Sequence, residues 1–587
     1  MTQSRLAPAF TRVLLAALLI MPLPGAARAQ AIASPAKRAA RVWPLTRPEA
    51  TNYTETSRYE DVVAFMKAMA AASPKIHLTT YGYTFEGRPM PLAVIGAPNA
   101  TPATVLATGK TRVFIQGNIH AGEVEGKEAA LWLLRSLANG ERASWLKDVV
   151  LLITPIYNAD GNERVNVRNR GAQHGPVGGM GQRHNAQDLD LNRDGTKLET
   201  PEARSMARLL TQYDPHIAID LHTTNGSDHG FYLTYEIGLN PNTSPGITNL
   251  LRNDLLPAVT TAVKAKHGWD FFYYGGAASR QGERAWWGDL DLYKPRYTST
   301  YFGVRNHIGI LSETYSYATF EDRIKADYWF LEEILNFTAK NGTAVRQAVA
   351  TANAESIIGT QQMVRGRLVK LPALVQAVLA DVVSEPNPYV PDRPMRRRLN
   401  GSERVESMPH YGMVETTETS LAPRAYVIPA AAGAPTSPSV PSAAALPGTP
   451  GAPGMSPRVV VTPAARMMAS VIDRLTAHGI KFFLTSREVT IKAERFRIDS
   501  TQQAALEFQG THKLRTLTGA WELTDQVVPA GSLVVPMDQP LARLAFILFD
   551  ARSDDGLMTW NILDPLLGAT PAPQYYPVVR TMEMIQK

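Results

Sequence analysis

Apolar residues along this chain fall into two rhythms: short unbroken runs, and longer stretches that repeat at every third and fourth position. The run Ile76-His77-Leu78-Thr79-Thr80-Tyr81 predicts a strand, with Pro91-Leu92-Ala93-Val94-Ile95-Gly96 as its hairpin neighbour across Glu86-Gly87-Arg88. Val113-Phe114-Ile115 and Val149-Val150-Leu151-Leu152-Ile153 are continuously apolar, as in strands covered on both faces. His216 to His222 and Ile308 to Glu313 are further short runs, and each ends in polar side chains. Helical spacing fills the gaps: Val62, Val63, Met66, Met69 and Ala70 after Tyr59, an Ala- and Leu-rich segment after Glu123, Pro201 to Leu210, about 244 to 266, and Phe320 to about Asn336. This alternation predicts an α/β domain with helices on both faces of its sheet. In such sheets sites form at the carboxyl ends of the strands, where the His and carboxylate residues fall here.

Beyond about residue 345 the pattern weakens. A helical stretch to roughly 381 is expected, then Pro-rich sequence and Arg396-Arg397-Arg398, which reads as a solvated loop. Residues 428 to 457 are dominated by Ala, Pro, Gly and Ser and read as a flexible linker. A helix from Pro463 (Met467, Met468, Val471, Ile472, Leu475), a strand Ile480 to Leu484, Trp521 and apolar runs near 533 and 545 predict a smaller C-terminal α/β domain of unknown role. At the other end, Arg5 and Arg12, the run Val13 to Met21, and Ala27-Arg28-Ala29 have the charged, apolar and small-residue order of a secretory signal peptide. The expected division is 1–29 leader, 30–48 arm, 49–345 catalytic domain, 346–457 connecting region and 458–587 C-terminal domain. A secreted or periplasmic protein without a stable membrane span is therefore expected, since the leader's apolar run is about half the length a span requires.

Composition changes this picture in one respect. At 587 residues, 44% apolar and 19% charged, the chain is an ordinary globular protein. Its formal charge of +7 falls to about +4 without the leader arginines, so no nucleic-acid partner is implied. The absence of cysteine is more telling, because it removes thiol nucleophiles, zinc–thiolate sites and disulfides together. Chemistry must be built from His, Asp, Glu, Arg and hydroxyl groups. A serine hydrolase is disfavoured because there is no Gly-x-Ser-x-Gly elbow.

The run Val113-Phe114-Ile115 leads through Gly117-Asn118 to His120 and Glu123, an imidazole and a carboxylate at a strand end. Catalytic zinc takes three protein ligands and keeps a fourth position open. His222, about a hundred residues on at the end of another apolar strand, is the candidate third ligand, with Asp220 beside it as a possible holder of its outer nitrogen. Any one of the 12 histidines is more often structural than metal-bound, and the His-x-x-Glu spacing arises easily by chance. The motifs around them decide the matter.

Those motifs are His120-x-x-Glu123, Asn158-x-Asp160-Gly161, Arg183-His184-Asn185, Asp190-Leu191-Asn192-Arg193, His222 and Glu313. In this order, over roughly residues 50 to 340, the chain resembles the zinc carboxypeptidases of the carboxypeptidase A type. The resemblance implies a mixed, mostly parallel α/β sheet with helices on both faces. It implies one zinc ion per chain, held by His120, Glu123 and His222, with Glu313 as general base. Asn192 and Arg193 would grip the terminal carboxylate of a peptide substrate, a task suited to a guanidinium's bidentate geometry. Arg183 would polarise the scissile carbonyl; Arg168 and Arg170 compete for that role.

Two departures stand out. Ala121-Gly122 stands where the digestive enzymes carry an arginine just before the Glu, so one upstream substrate contact is expected to be absent or replaced. The family's mobile tyrosine could be Tyr293, Tyr297 or Tyr301, and side-chain preference stays open. The leading expectation is an exported metallopeptidase that removes C-terminal residues. The alternatives are a zinc amidase acting on cell-wall peptides or acylated amino acids, and a non-catalytic binding protein of the same fold.

Overall fold

The structure, a computed structural model, describes residues 42–280, 282–430, 463–567 and 574–586. The predicted leader, most of the arm and most of the 428–457 linker lie outside these residues. The chain divides into the units Met1–Trp43 and Pro44–Lys587, and every described strand and helix belongs to the second.

The centre of that unit is an eight-stranded sheet in the order Ile76–Tyr83, Pro89–Ile95, Val149–Thr154, Thr111–Gly117, Ile217–Thr223, Ile308–Thr314, Leu233–Ile237 and Phe271–Tyr273. The four strands in the middle, from Val149–Thr154 to Ile308–Thr314, run parallel. The first two strands join antiparallel on one side, and Leu233–Ile237 joins antiparallel on the other. The middle strands are buried along their whole length, which explains their unbroken apolar sequence. Helices Glu125–Asn139 and Phe320–Ala354 pack on each other and on these strands, while Thr298–Val304 lies on Ile217–Thr223 and Ile308–Thr314. The α/β architecture with a mixed, mostly parallel sheet is as expected.

The sequence pattern misread the region after 345. Helix Phe320–Ala354 runs past Asn336 because Val345, Val349 and Ala352 keep one face buried. Residues 355 to 381 are not helical: Gln361–Lys370 is a strand paired with His410–Leu421. That partner lies some fifty residues on, so the pairing has no local signature. The strand pair Gly276–Arg280 and Glu283–Trp287 joins the same four-stranded sheet.

A six-stranded antiparallel sheet closes the C-terminal part, in the order Phe483–Leu484, Leu533–Pro536, Ala425–Ile428, Gln574–Thr581, Val489–Gln503, Arg515–Val528. One apolar cluster runs from Phe114, Val150 and Ala218 of the central sheet through Tyr301 and Phe302 to Leu475, Phe496, Phe546 and Tyr576.

Candidate metal centre

The loop after Thr111–Gly117 is shaped by local bonds. Asn118 takes a left-handed conformation (φ 67°), and its Nδ2 donates to the carbonyls of Ala121 and Glu123, each at 3.3 Å. The Glu123 N–H donates to the His120 carbonyl (2.9 Å), a turn that brings side chains three residues apart to the same side. His222 is the penultimate residue of Ile217–Thr223 and lies in register with Glu313 on the adjacent parallel strand, so both project from one face of the sheet.

These elements bring three candidate ligands together. His120 Nδ1 lies 3.0 Å from Glu123 Oε1, His222 Nδ1 lies 2.9 Å from Glu123 Oε2, and the two Nδ1 atoms are 3.2 Å apart. The outer nitrogens face carboxylates: His120 Nε2 to Asp190 Oδ1 at 3.0 Å, and His222 Nε2 to Asp220 Oδ2 at 2.9 Å. Ionised carboxylates only accept, so Asp190 and Asp220 favour a hydrogen on each Nε2, and a bound cation would take the Nδ1 lone pairs. Two Nδ1 atoms at that separation, with a carboxylate spanning both, form a candidate cation site. The ligand atoms of His120, Glu123 and His222 lie within 4.8 Å of one another, the only such group among the described residues. An N2O donor set with each imidazole braced by a carboxylate suits zinc.

The surrounding charges are arranged accordingly. Burial would push the Glu123 and Asp190 carboxyls up, but His120 together with Arg170 or Arg183 holds both well below the usual range. Burial works against a charged His222, yet the Asp220 and Glu123 carboxylates raise it well above the ordinary value. Glu313 shifts the other way: burial pushes its carboxyl up to about 8, against the charge of His222 and with that of Glu123. Its side chain makes no hydrogen bond among the described residues.

Two arginines flank the Glu123 carboxylate. Arg183 donates from Nε to Asp190 Oδ2 (2.9 Å), with Nη2 at the same distance and Nη1 3.7 Å from Glu123 Oε1. Arg170 donates to Glu123 Oε1 (3.0 Å), and its other Nη donates to the carbonyls of Thr223 and Thr224. Arg168, the third candidate, pairs with Asp392 at the surface. Gly122 explains the departure seen in the sequence: a Cβ there would sit 2.8 Å from Arg170 Cδ and 2.8 Å from the Gly181 carbonyl oxygen. A guanidinium therefore does stand beside the Glu, supplied by residue 170. The glycine was the one available signal for it.

Asn192 directs its Oδ1 to the Thr298 N–H (2.8 Å) and hydroxyl (2.9 Å), which leaves its Nδ2 without a partner among the described residues. Arg193 lies over the Tyr297 ring, 3.9 Å from its centroid. The Tyr293 hydroxyl is committed to Gly366 and Asp554, and that of Tyr301 to His478; Tyr297 has no such tie among the described residues. Asp190, which the sequence offered only as part of a motif, is the hub: one carboxylate holds His120 and Arg183 and lies 4.0 Å from Arg193. Asn158 and Asp160 act as scaffold. Asn158 bonds the carbonyls of Ile119 and Arg183, and Asp160 bonds Thr84, Glu86 and Arg88. Behind the site, Glu125 accepts from Thr223, Thr314 and Arg323, tying together the residues next to His222 and Glu313.

Fold and site together define an α/β protein with a candidate metal centre at the carboxyl ends of its central strands. Residues 62–227 match the zinc carboxypeptidase family model, so over that segment the chain is similar to this family. It is 30% identical over 169 residues to a probable carboxypeptidase 2 of Arthroderma benhamiae, covering 28% of this chain and 29% of that one. It is 35% identical over 147 residues to carboxypeptidase D of Rattus norvegicus, covering 22% of this chain and 11% of the relative. The match thus spans less than a third of the length of these relatives. Among solved structures, a metallo-carboxypeptidase from Burkholderia cenocepacia aligns at 20% identity and a TM-score of 0.37, over 49% of this chain and 71% of that one.

Proposed function

We propose that this protein is an exported zinc-dependent carboxypeptidase that hydrolyses the C-terminal peptide bond of peptides. The observation that carries the proposal is the convergence of His120, Glu123 and His222 beside Glu313. His120, Glu123 and His222 would hold one zinc ion, which when bound supplies Lewis acidity and a water far more acidic than bulk water. Glu313 takes a proton from the attacking water and returns it to the leaving amine. Its place supports that role: it lies in register with His222 on the adjacent strand, and its side chain makes no hydrogen bond among the described residues. Arg183, fixed by Asp190 through two nitrogens, polarises the scissile carbonyl as a preorganised donor. Arg193, steadied over Tyr297, and the Nδ2 of Asn192, without a partner among the described residues, bind the substrate's terminal carboxylate. Export rests on the order of residues 5 to 29; no helix among the described residues is long and apolar enough to cross a membrane.

The test is incubation with a peptide mixture, containing free and amidated C-termini, followed by mass spectrometry. Stepwise loss of C-terminal residues from free peptides alone, abolished by chelator and restored by zinc, is expected. Trimming indifferent to chelator would remove the metal from the reaction. Cleavage of acylated amino acids or cell-wall peptides in place of free C-termini would replace the reading with that of an amidase.

A further inference from the structure

We propose that Gln509, in the C-terminal part of the chain, is a positioning residue for the metal centre and the carboxylate grip. The inference rests on the proposed function, in which Asp190 orients His120, Arg183 and Arg193. The backbone N–H of Asp190 donates to Gln509 Oε1 at 2.9 Å, across 319 residues of sequence. Gln509 lies at the tip between strands Val489–Gln503 and Arg515–Val528, where Phe508 and His512 pair across a tight turn. Gln509 and Gly510 are both left-handed there (φ 52° and 83°), which aims the Gln509 amide at the Asp190 turn.

The tip is itself anchored. His512 Nε2 lies 2.7 Å from Glu199 Oε1, and the Phe508 ring stacks 5.9 Å from that of Trp560. Trp560 Nε1 donates to Asp555 (3.0 Å), and Asp555 accepts from the backbone N–H (2.6 Å) and Nε (2.7 Å) of Arg296. Arg296 precedes Tyr297, the ring beneath Arg193. One C-terminal block therefore pins both turns that meet at the Arg193–Tyr297 contact: Asp190 through Gln509, and Tyr297 through Asp555. Without Gln509 the Asp190 N–H loses its acceptor, and the carboxylate bracing His120 is freer to drift.

The experiment compares full-length zinc-loaded wild type with Gln509→Gly and Gln509→Glu. Glycine removes the amide while fitting the left-handed turn without strain; glutamate keeps an oxygen acceptor at the same reach. Zinc affinity is read by competition with a chromogenic chelator, kcat and KM on a peptide with a free C-terminus, and folding by melting temperature. Gln509→Gly should bind zinc about fivefold more weakly and show a KM raised about fivefold, the size of one ordinary hydrogen bond. Its melting temperature should fall by only a few degrees, and Gln509→Glu should return both readings toward wild type. Wild-type zinc affinity and KM in Gln509→Gly would overturn the inference, as would equal losses in Gln509→Glu. A wild type that turns over no free-carboxylate peptide overturns the proposed function instead, and the zinc affinity of Gln509→Gly relative to wild type then decides the role of Gln509 by itself.

Discussion

Between His120 and Glu123 stand Ala121 and Gly122, and the absence of one Cβ there lets Arg170 reach the Glu123 carboxylate. Gly122→Ala puts a methyl 2.8 Å from the Gly181 carbonyl oxygen as well as from the Arg170 side chain. The arginine can swing away but the backbone oxygen cannot, so overpacking should cost about 1–3 kcal/mol. The variant is expected to melt at a lower temperature and to bind zinc more weakly as Arg170 is displaced; an unchanged melting curve would refute the packing argument. Glu313→Gln tests the base. It removes the proton acceptor without touching a ligand, so turnover should fall by roughly 10²–10⁴-fold while zinc content stays at wild-type level. Near-normal rates in a zinc-replete variant would move the base elsewhere. The ligand candidates and Glu313 were legible through the order of motifs that resembles the zinc carboxypeptidases; their places at or just after the ends of apolar strands put them on one edge of the sheet. Arg170 and Asp190 were harder to read. Arg170 lies in a loop whose path depends on distant contacts, such as the Arg396 N–H to the Ala172 carbonyl (3.0 Å). The role of Asp190 appears only once His120 and Arg183 meet around it.

At the scale of elements, the strands that carry the site are the ones the hydrophobic pattern predicted, because full burial on both faces leaves an unbroken apolar signature. The strand Leu233–Ile237 is buried too but carries Glu236, which breaks such a run. Burial pushes the Glu236 carboxyl up to about 7, against the charge of Arg252. Its folded value exceeds the unfolded one, so between the two the native state holds a proton that the unfolded chain releases. Stability is then fully present below about pH 4.5 and declines as pH rises through 7. Glu236→Gln removes that decline. Between pH 5 and pH 8, wild type should lose on the order of 2 kcal/mol more than the variant in urea unfolding. Parallel pH profiles for the two proteins would show that this carboxyl is not the group responsible. Helix Phe320–Ala354 and strand Gln361–Lys370 make the complementary point. The first continues on a periodic face that was readable in principle, whereas the second depends on a partner strand at His410–Leu421 that nothing local announces.

For the whole molecule, the question is whether the C-terminal sheet is an appendage or part of the same cooperative body as the metal centre. One apolar cluster joins Phe114 and Ala218, on the strands leading to His120 and His222, with Phe546 and Tyr576 in the C-terminal part. Helix Ala542–Phe549 is buried at every position, as a helix enclosed by two layers should be. Phe546 is fully buried within it, and truncation to alanine should cost about 3–5 kcal/mol through lost burial and the cavity left behind. If the core acts as one, Phe546→Ala lowers the midpoint of a single unfolding transition, and zinc is released in that same transition although the mutation touches no ligand. The measurement is thermal unfolding followed in parallel by circular dichroism and by a zinc-sensitive dye. An early transition that leaves zinc bound, followed by a second at the wild-type temperature, would mean that the C-terminal sheet melts independently. The metal centre would then rest on the central sheet alone, and the Gln509 and Asp555 contacts would be too weak to couple the two.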